Sequence, residues 1–180
     1  MKARPCIIVE LEDYNNNIGY GEIWCNFPSD GASYRFNLLN SIYHSNIVGC
    51  EFSNPENLID RIAEKFKTIF VQSGDIGSFH NINSGLDCAF WDLFAKSKKI
   101  PLNKLLNPDS QKHISIYASG INPGEAYEKI SIGKSMGIKA FKVKIGFDHS
   151  LDIDLLDSLN KDFSNDATLM LDVNQGWTIE

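Results

Sequence analysis

Ala140-Phe-Lys-Val-Lys-Ile145 and Leu169-Met-Leu-Asp-Val-Asn174 are the two stretches on which the fold turns. Strand residues two apart share a face. Phe141, Val143 and Ile145 therefore form one side of the first stretch, and Lys142 with Lys144 forms the other. In the second, Asp172 and Asn174 share a side opposite Leu171 and Val173. An isolated K-x-K reads as the wet side of an antiparallel ribbon, but the surroundings here argue otherwise. Ile114–Ala118 alternates as a strand, and Asn122, Pro123 and Glu125 open a helix in capping-box fashion that ends at Gly137. Leu151, Ile153, Leu155, Leu156 and Leu159 mark a further helix over 149–162. Repeated strand–helix units imply a parallel sheet, and parallel sheets are normally covered on both faces. Two lysines on one strand and Asp-x-Asn on the next thus point into a polar site.

Working back toward the N-terminus, the grammar differs. Pro5–Asp13 alternates as a strand, 15–19 is turn chemistry, and Tyr20–Trp24 returns as the second arm of a hairpin. A loop follows over Cys25–Gly31. Asn54-Pro55-Glu56 starts a helix whose Leu58, Ile59, Ile62, Phe66 and Ile69 recur at three- and four-residue spacing. The stretch 73–78 reads as a loop. Ser84 then reads as the cap of another helix, with Leu86, Ala89, Phe90, Leu93 and Phe94 on one stripe and Pro101 ending it. Residues 1–110 are expected to form an α+β unit and residues 111–180 a βα unit.

Composition narrows the partners. Lys plus Arg number 17 against 23 Asp plus Glu, a formal charge of −6, and no basic block is present. Such a chain offers little to a phosphate backbone, so no nucleic acid partner is expected. No apolar run approaches the ~20 residues of a membrane span, and the first residues lack a signal-peptide core. Cys6, Cys25, Cys50 and Cys88 are widely spaced without a C-x-x-C, the pattern of isolated reduced thiols. A cytoplasmic protein without membrane contact is the expectation.

The residue types on the polar face define a chemistry. An aspartate such as Asp172 is a hard oxygen ligand suited to Mg²⁺. A lysine acts as a base only when neutral, a state that burial and nearby positive charge favour. Lys142 and a bound cation would supply that push toward Lys144. Metal plus lysine is an arrangement able to remove a proton beside a carboxylate.

These residues resemble a known family. The runs GLDCAFWDLFAKSKKIPLNKLL, GIKAFKVKIG and LMLDVNQGW are similar to the mandelate racemase/muconate lactonizing enzyme branch of the enolase superfamily, and YGEIW fits its capping-domain hairpin. The resemblance runs from about residue 5 to the end. It implies an α+β capping domain, residues 1–110, followed by the first three βα units of a (β/α) TIM-type barrel, residues 111–180, with the barrel incomplete. Under it, Lys144 is the general base, and Lys142 tunes its partner and helps to position the substrate carboxylate. Asp172 is the first Mg²⁺ ligand, with Asn174 in support. The loop after YGE nominates Trp24 and Phe27 as substrate contacts, core packing being the alternative.

The resemblance further implies a small carboxylate substrate such as a sugar acid, a racemase, dehydratase or cycloisomerase reaction, and a homo-oligomer at full length. Later strands would carry the other metal carboxylates and the group opposing Lys144, and the family has another strand before Pro5. The chain is thus expected to be the N-terminal part of an isomerase or lyase, inactive alone and binding Mg²⁺ weakly or not at all. The competing expectation is a non-catalytic truncated remnant with an interaction or structural role. A doubly wound nucleotide binder is disfavoured, because no Gly-rich phosphate loop follows any strand.

Overall fold

The computed structural model describes residues 4–28, 30–162 and 167–178. The chain divides into two compact units, 1–110 and 111–180.

The first unit is α+β. Strands β1 (Ile7–Glu12) and β2 (Ile18–Ile23) form an antiparallel hairpin in which Val9 faces Gly21. Asn16 turns the chain at φ 60°, a conformation asparagine tolerates. Gly19 belongs to β2, not to the turn, and its purpose there is proximity. A Cβ on Gly19 would run into the Ala89 carbonyl, and one on Gly21 into the carbonyl of Gly85. Both glycines let helix α4 (Ile76–Lys98) lie directly on the sheet, and Gly85 returns the favour by leaving room for Ile23.

Between hairpin and α4, a region the sequence left unassigned folds into α1 (Gly31–Leu38), a wide π turn (Leu39–Tyr43) and α2 (His44–Ile47). Helix α3 (Pro55–Ser73) begins as expected: the Asn54 side chain accepts the Asn57 N–H at 3.0 Å and Pro55 occupies the first turn. Its buried stripe runs Leu58, Ile62, Phe66, Phe70, so Phe70 takes the place expected for Ile69, which is exposed. The stripe packs with Tyr43, Phe79 and Ile82 into one core.

Two expectations fail in α4. The stretch 73–78 is not a loop throughout, because Gly74 stops α3 at φ 67° and Asp75 at once caps α4 by accepting the Ser78 N–H at 3.2 Å. Ser84 is therefore an exposed mid-helix residue and no cap. Gly77, Ser78, Asn81, Asn83, Ser84 and Gly85 are poor helix formers, but burial of Phe79, Ile82 and Leu86 outweighs that propensity. Lys99 ends α4 at φ 55°, and a short α5 (Leu102–Leu106) follows.

The second unit holds a parallel sheet of three strands in sequence order, β3 (Ala118–Ile121), β4 (Ala140–Lys144) and β5 (Thr168–Asp172). A 3-10 turn (Pro123–Glu125) and α6 (Ala126–Ser135) join the first two; α7 (His149–Asp162) precedes the third. The first strand begins four residues later than its alternation suggested. Ile114 and Ile116 are exposed, and pairing starts only where Ala118 meets Phe141. Asn122 makes no side-chain cap; Glu125 instead pairs with Lys129 one turn on, at 2.7 Å. Ile121, Ala126, Ile130, Phe141, Val143 and Leu159 form the core of this unit. No helix among the described residues is long and apolar enough to cross a membrane.

Candidate active site

Strand β4 alternates as its sequence requires: Phe141 and Val143 are fully buried against the helices, while Lys142 and Lys144 are half-buried on the other face. Its register with β5 sets Lys142 beside Met170 and Lys144 beside Asp172. Parallel neighbours in register share a face, so Lys142, Lys144 and Asp172 converge on one side of the sheet. Lys142 Nζ lies 3.2 Å from Asp172 Oδ2, each side chain keeping about three tenths of its surface exposed (28% and 30%). Lys144 makes no ion pair among the described residues, but its charge acts on Asp172.

Asn174 contributes in a way the strand reading did not foresee. Strand β5 ends at Asp172, and Asn174 lies beyond it in a turn at φ 47°. The alternation of faces therefore does not reach Asn174. Its backbone N–H, not its amide side chain, donates to Asp172 Oδ1 at 3.1 Å. That bond first, and then Lys142, hold the Asp172 carboxyl below the ordinary aspartate value. Asp172 in turn raises Lys142 above the ordinary lysine value, and Tyr117 adds to the effect.

Tyr117 is the residue the sequence reading passed over. It stands just before β3 on the face opposite Ala118, and its ring centre lies 5.5 Å from Lys142 Nζ, within cation–π range. The residue just before β3, strand β4 and strand β5 thus supply Tyr117, Lys142 and Asp172 to one cluster. A signal exists in the alternation of Ile114–Ala118, which sets Tyr117 opposite Ile114, Ile116 and Ala118.

Trp24 and Phe27 lie in the first unit, just past β2, with ring centres 6.1 Å apart. They are 46% and 61% exposed. A concavity of about 1030 Å³ also lies within the first unit, between the end of β1, residues 47–55 and Phe90 with Phe94; it contains none of the candidate residues.

As a metal centre the cluster is incomplete. No group of three or more His, Cys, Asp or Glu side chains converges among the described residues. Asp172 is a single carboxylate already engaged by Lys142. Mg²⁺ needs near-octahedral oxygen donors, so these residues fit one ligand of a site and not the site itself. What the cluster offers on its own is a fixed cation, Lys142, beside a second lysine, Lys144, which lacks an ion-pair partner among the described residues.

No family model matches the chain. Individual proteins do. The chain is 29% identical over 178 residues to L-Ala-D/L-Glu epimerase of Francisella tularensis subsp. novicida, covering 96% of this chain and 47% of the epimerase. Its structure superposes with a TM-score of 0.86 on a mandelate racemase/muconate lactonizing enzyme from Bordetella bronchiseptica, at 33% identity over 97% of this chain and 48% of that one. The fold is shared with a magnesium-bound racemase from Streptomyces coelicolor, TM-score 0.80 at 23% identity. The curated relatives are epimerases, racemases, dehydratases and cycloisomerases, and the chain spans about half their length. The α+β arrangement of helices and strands resembles the N-terminal capping domain of such enzymes. From residue runs to backbone superposition, these likenesses agree: the relatives and structural neighbours of this chain are members of the mandelate racemase/muconate lactonizing enzyme branch of the enolase superfamily.

Proposed function

We propose that the polar face of β4 and β5 is part of an active site that abstracts the α-proton of a carboxylate substrate. The observation that carries this reading is the division between the two lysines. Lys142 is held cationic by Asp172 and Tyr117, which suits it to grip a substrate carboxylate and unsuits it as a base. Lys144, one pleat further along the same face and outside any ion pair among the described residues, is the base. Its Nζ takes the α-proton, and the C–H electron pair moves into the carboxylate to give an enediolate, whose new charge faces Lys142.

The rest of the reading concerns the whole protein. The three parallel strands follow one another without reversal, as the opening strands of a (β/α) barrel would, and residues 1–110 act as its capping domain. Trp24 and Phe27 are substrate contacts, a role their exposure permits. Mg²⁺ is the cofactor, with Asp172 as one ligand and the others contributed from outside the described residues. The substrate is a small carboxylate of the kind named in its relatives, a dipeptide or a sugar acid such as arabinonate. The full protein is a homo-oligomer.

The test is deuterium incorporation at the α-carbon. A form of the protein extended to the length of its relatives is incubated in deuterated water with dipeptides, sugar acids and mandelate-like acids. Exchange on at least one class, lost on chelation and restored by Mg²⁺, is the expected result. A folded, Mg²⁺-loaded form that exchanges none of them would favour the non-catalytic reading instead.

A further inference from the structure

Arg35 is 5% exposed and belongs to none of the ion pairs formed by the described residues. A guanidinium withdrawn from water without a carboxylate is costly, and its placement adds to the cost. Arg35 lies in α1, and its side chain runs back to the start of that helix, where the backbone dipole is also positive. There Nη1 donates to the Gly31 carbonyl at 3.0 Å and Nη2 to the Phe27 carbonyl at 3.3 Å, while Nε has no partner among the described residues. Gly31 is buried beneath it, and a Cβ at Gly31 would run into Nη1. Glycine and arginine four residues apart are thus matched to each other: the first makes the space that the second fills.

What the arrangement accomplishes is a tie. The planar fork reaches two carbonyls at once, one in the helix and one in the segment that carries the exposed Trp24–Phe27 ring pair. We infer that Arg35 is a positioning residue: its guanidinium holds the Phe27 backbone against α1 and so fixes how Trp24 and Phe27 are presented. Any consequence for substrate affinity rests on the proposed role of those two aromatics as substrate contacts; the tie itself does not.

The experiment uses residues 1–180 with Trp91→Phe and Trp177→Phe, which leaves Trp24 as the reporter. Arg35→Ala should red-shift Trp24 emission, raise its quenching by acrylamide and enlarge the fast component of its anisotropy decay, with far-ultraviolet circular dichroism retained. Millimolar guanidinium should reverse these changes and ammonium should not, a chemical rescue that general loosening of the fold would not show. Arg35→Lys, which keeps the charge but cannot reach both carbonyls, should behave as Arg35→Ala does, and it serves as the reporter variant if alanine prevents folding. A Trp24 signal unchanged in either folded variant would overturn the tie. In an active, extended form, Arg35→Lys should raise KM with kcat little changed. A moved Trp24 signal with an unmoved KM would leave the tie standing and overturn the substrate-contact role of Trp24 and Phe27.

Discussion

Asp172 receives two donors of different origin, the Asn174 backbone N–H at 3.1 Å and the Lys142 ammonium at 3.2 Å. Both favour its charged form, the backbone bond more strongly. Carbon-detected NMR titration should place the Asp172 midpoint below the ordinary ~3.9. Lys142→Met should raise that midpoint and still leave it below the ordinary value, because the Asn174 bond survives. A midpoint unmoved by Lys142→Met would mean that the ion pair is not populated in solution. The sign of the linkage follows: a depressed carboxyl contributes stability above its unfolded value, lost as pH falls through the folded one. Lys142, shifted the other way, contributes below its unfolded value and loses that contribution as pH rises through the folded one. Lys142, Lys144 and Asp172 were legible in the sequence because strict alternation leaves little choice of face. Only the placement of Asn174 within the strand differs, because two residues of positive φ, Asn174 and Gln175, follow the strand where the sequence shows no glycine until Gly176.

Elements were legible where periodicity and caps agree, as in α3, β4 and α7, and illegible where packing overrules local preference. Helix α4 is the clearest case. Its N-terminal half is polar and glycine-containing, so only the tertiary contacts of Phe79, Ile82 and Leu86 reveal it as helix. The caps can be told apart by experiment. Asp75→Ala should destabilise the protein by about 1 kcal/mol, the usual worth of an N-cap, whereas Ser84→Ala should be neutral or slightly stabilising. Denaturant melts would show both, and an equal loss at the two positions would contradict the assigned helix start. The glycine contacts between β2 and α4 make a stronger demand. Gly21→Ala sets a methyl group against the backbone of Gly85, which cannot rotate away as a side chain could. A loss of about 1–3 kcal/mol or more is expected, and a neutral substitution would show that sheet and helix are not in such close contact.

At the scale of the whole molecule, the two units differ in how completely they are covered. The first encloses a core around Tyr43, Leu58 and Phe79. In the second, β5 pairs only with β4 among the described residues, and Leu171 on its core side is 43% exposed. An uncovered strand edge with apolar neighbours invites association. Residues 1–180 should therefore sediment as self-associated species at micromolar concentration, and calorimetric titration should detect little Mg²⁺ binding, because one carboxylate holds that strongly hydrated ion poorly. A monodisperse monomer that binds Mg²⁺ stoichiometrically would contradict both expectations. The change of grammar near residue 110 coincides with the boundary between the two compact units.

The most direct test of the active-site assignment compares the two lysines under one assay. In a form that exchanges the α-proton of a carboxylate substrate in deuterated water, Lys144→Ala should reduce the exchange rate by the ~10²–10⁴-fold that a general base supplies, or more. Lys142→Ala should weaken substrate binding and leave residual exchange at saturating substrate. Exchange at the parent rate in Lys144→Ala, with exchange abolished in Lys142→Ala, would contradict the assignment and reverse the roles of the two residues.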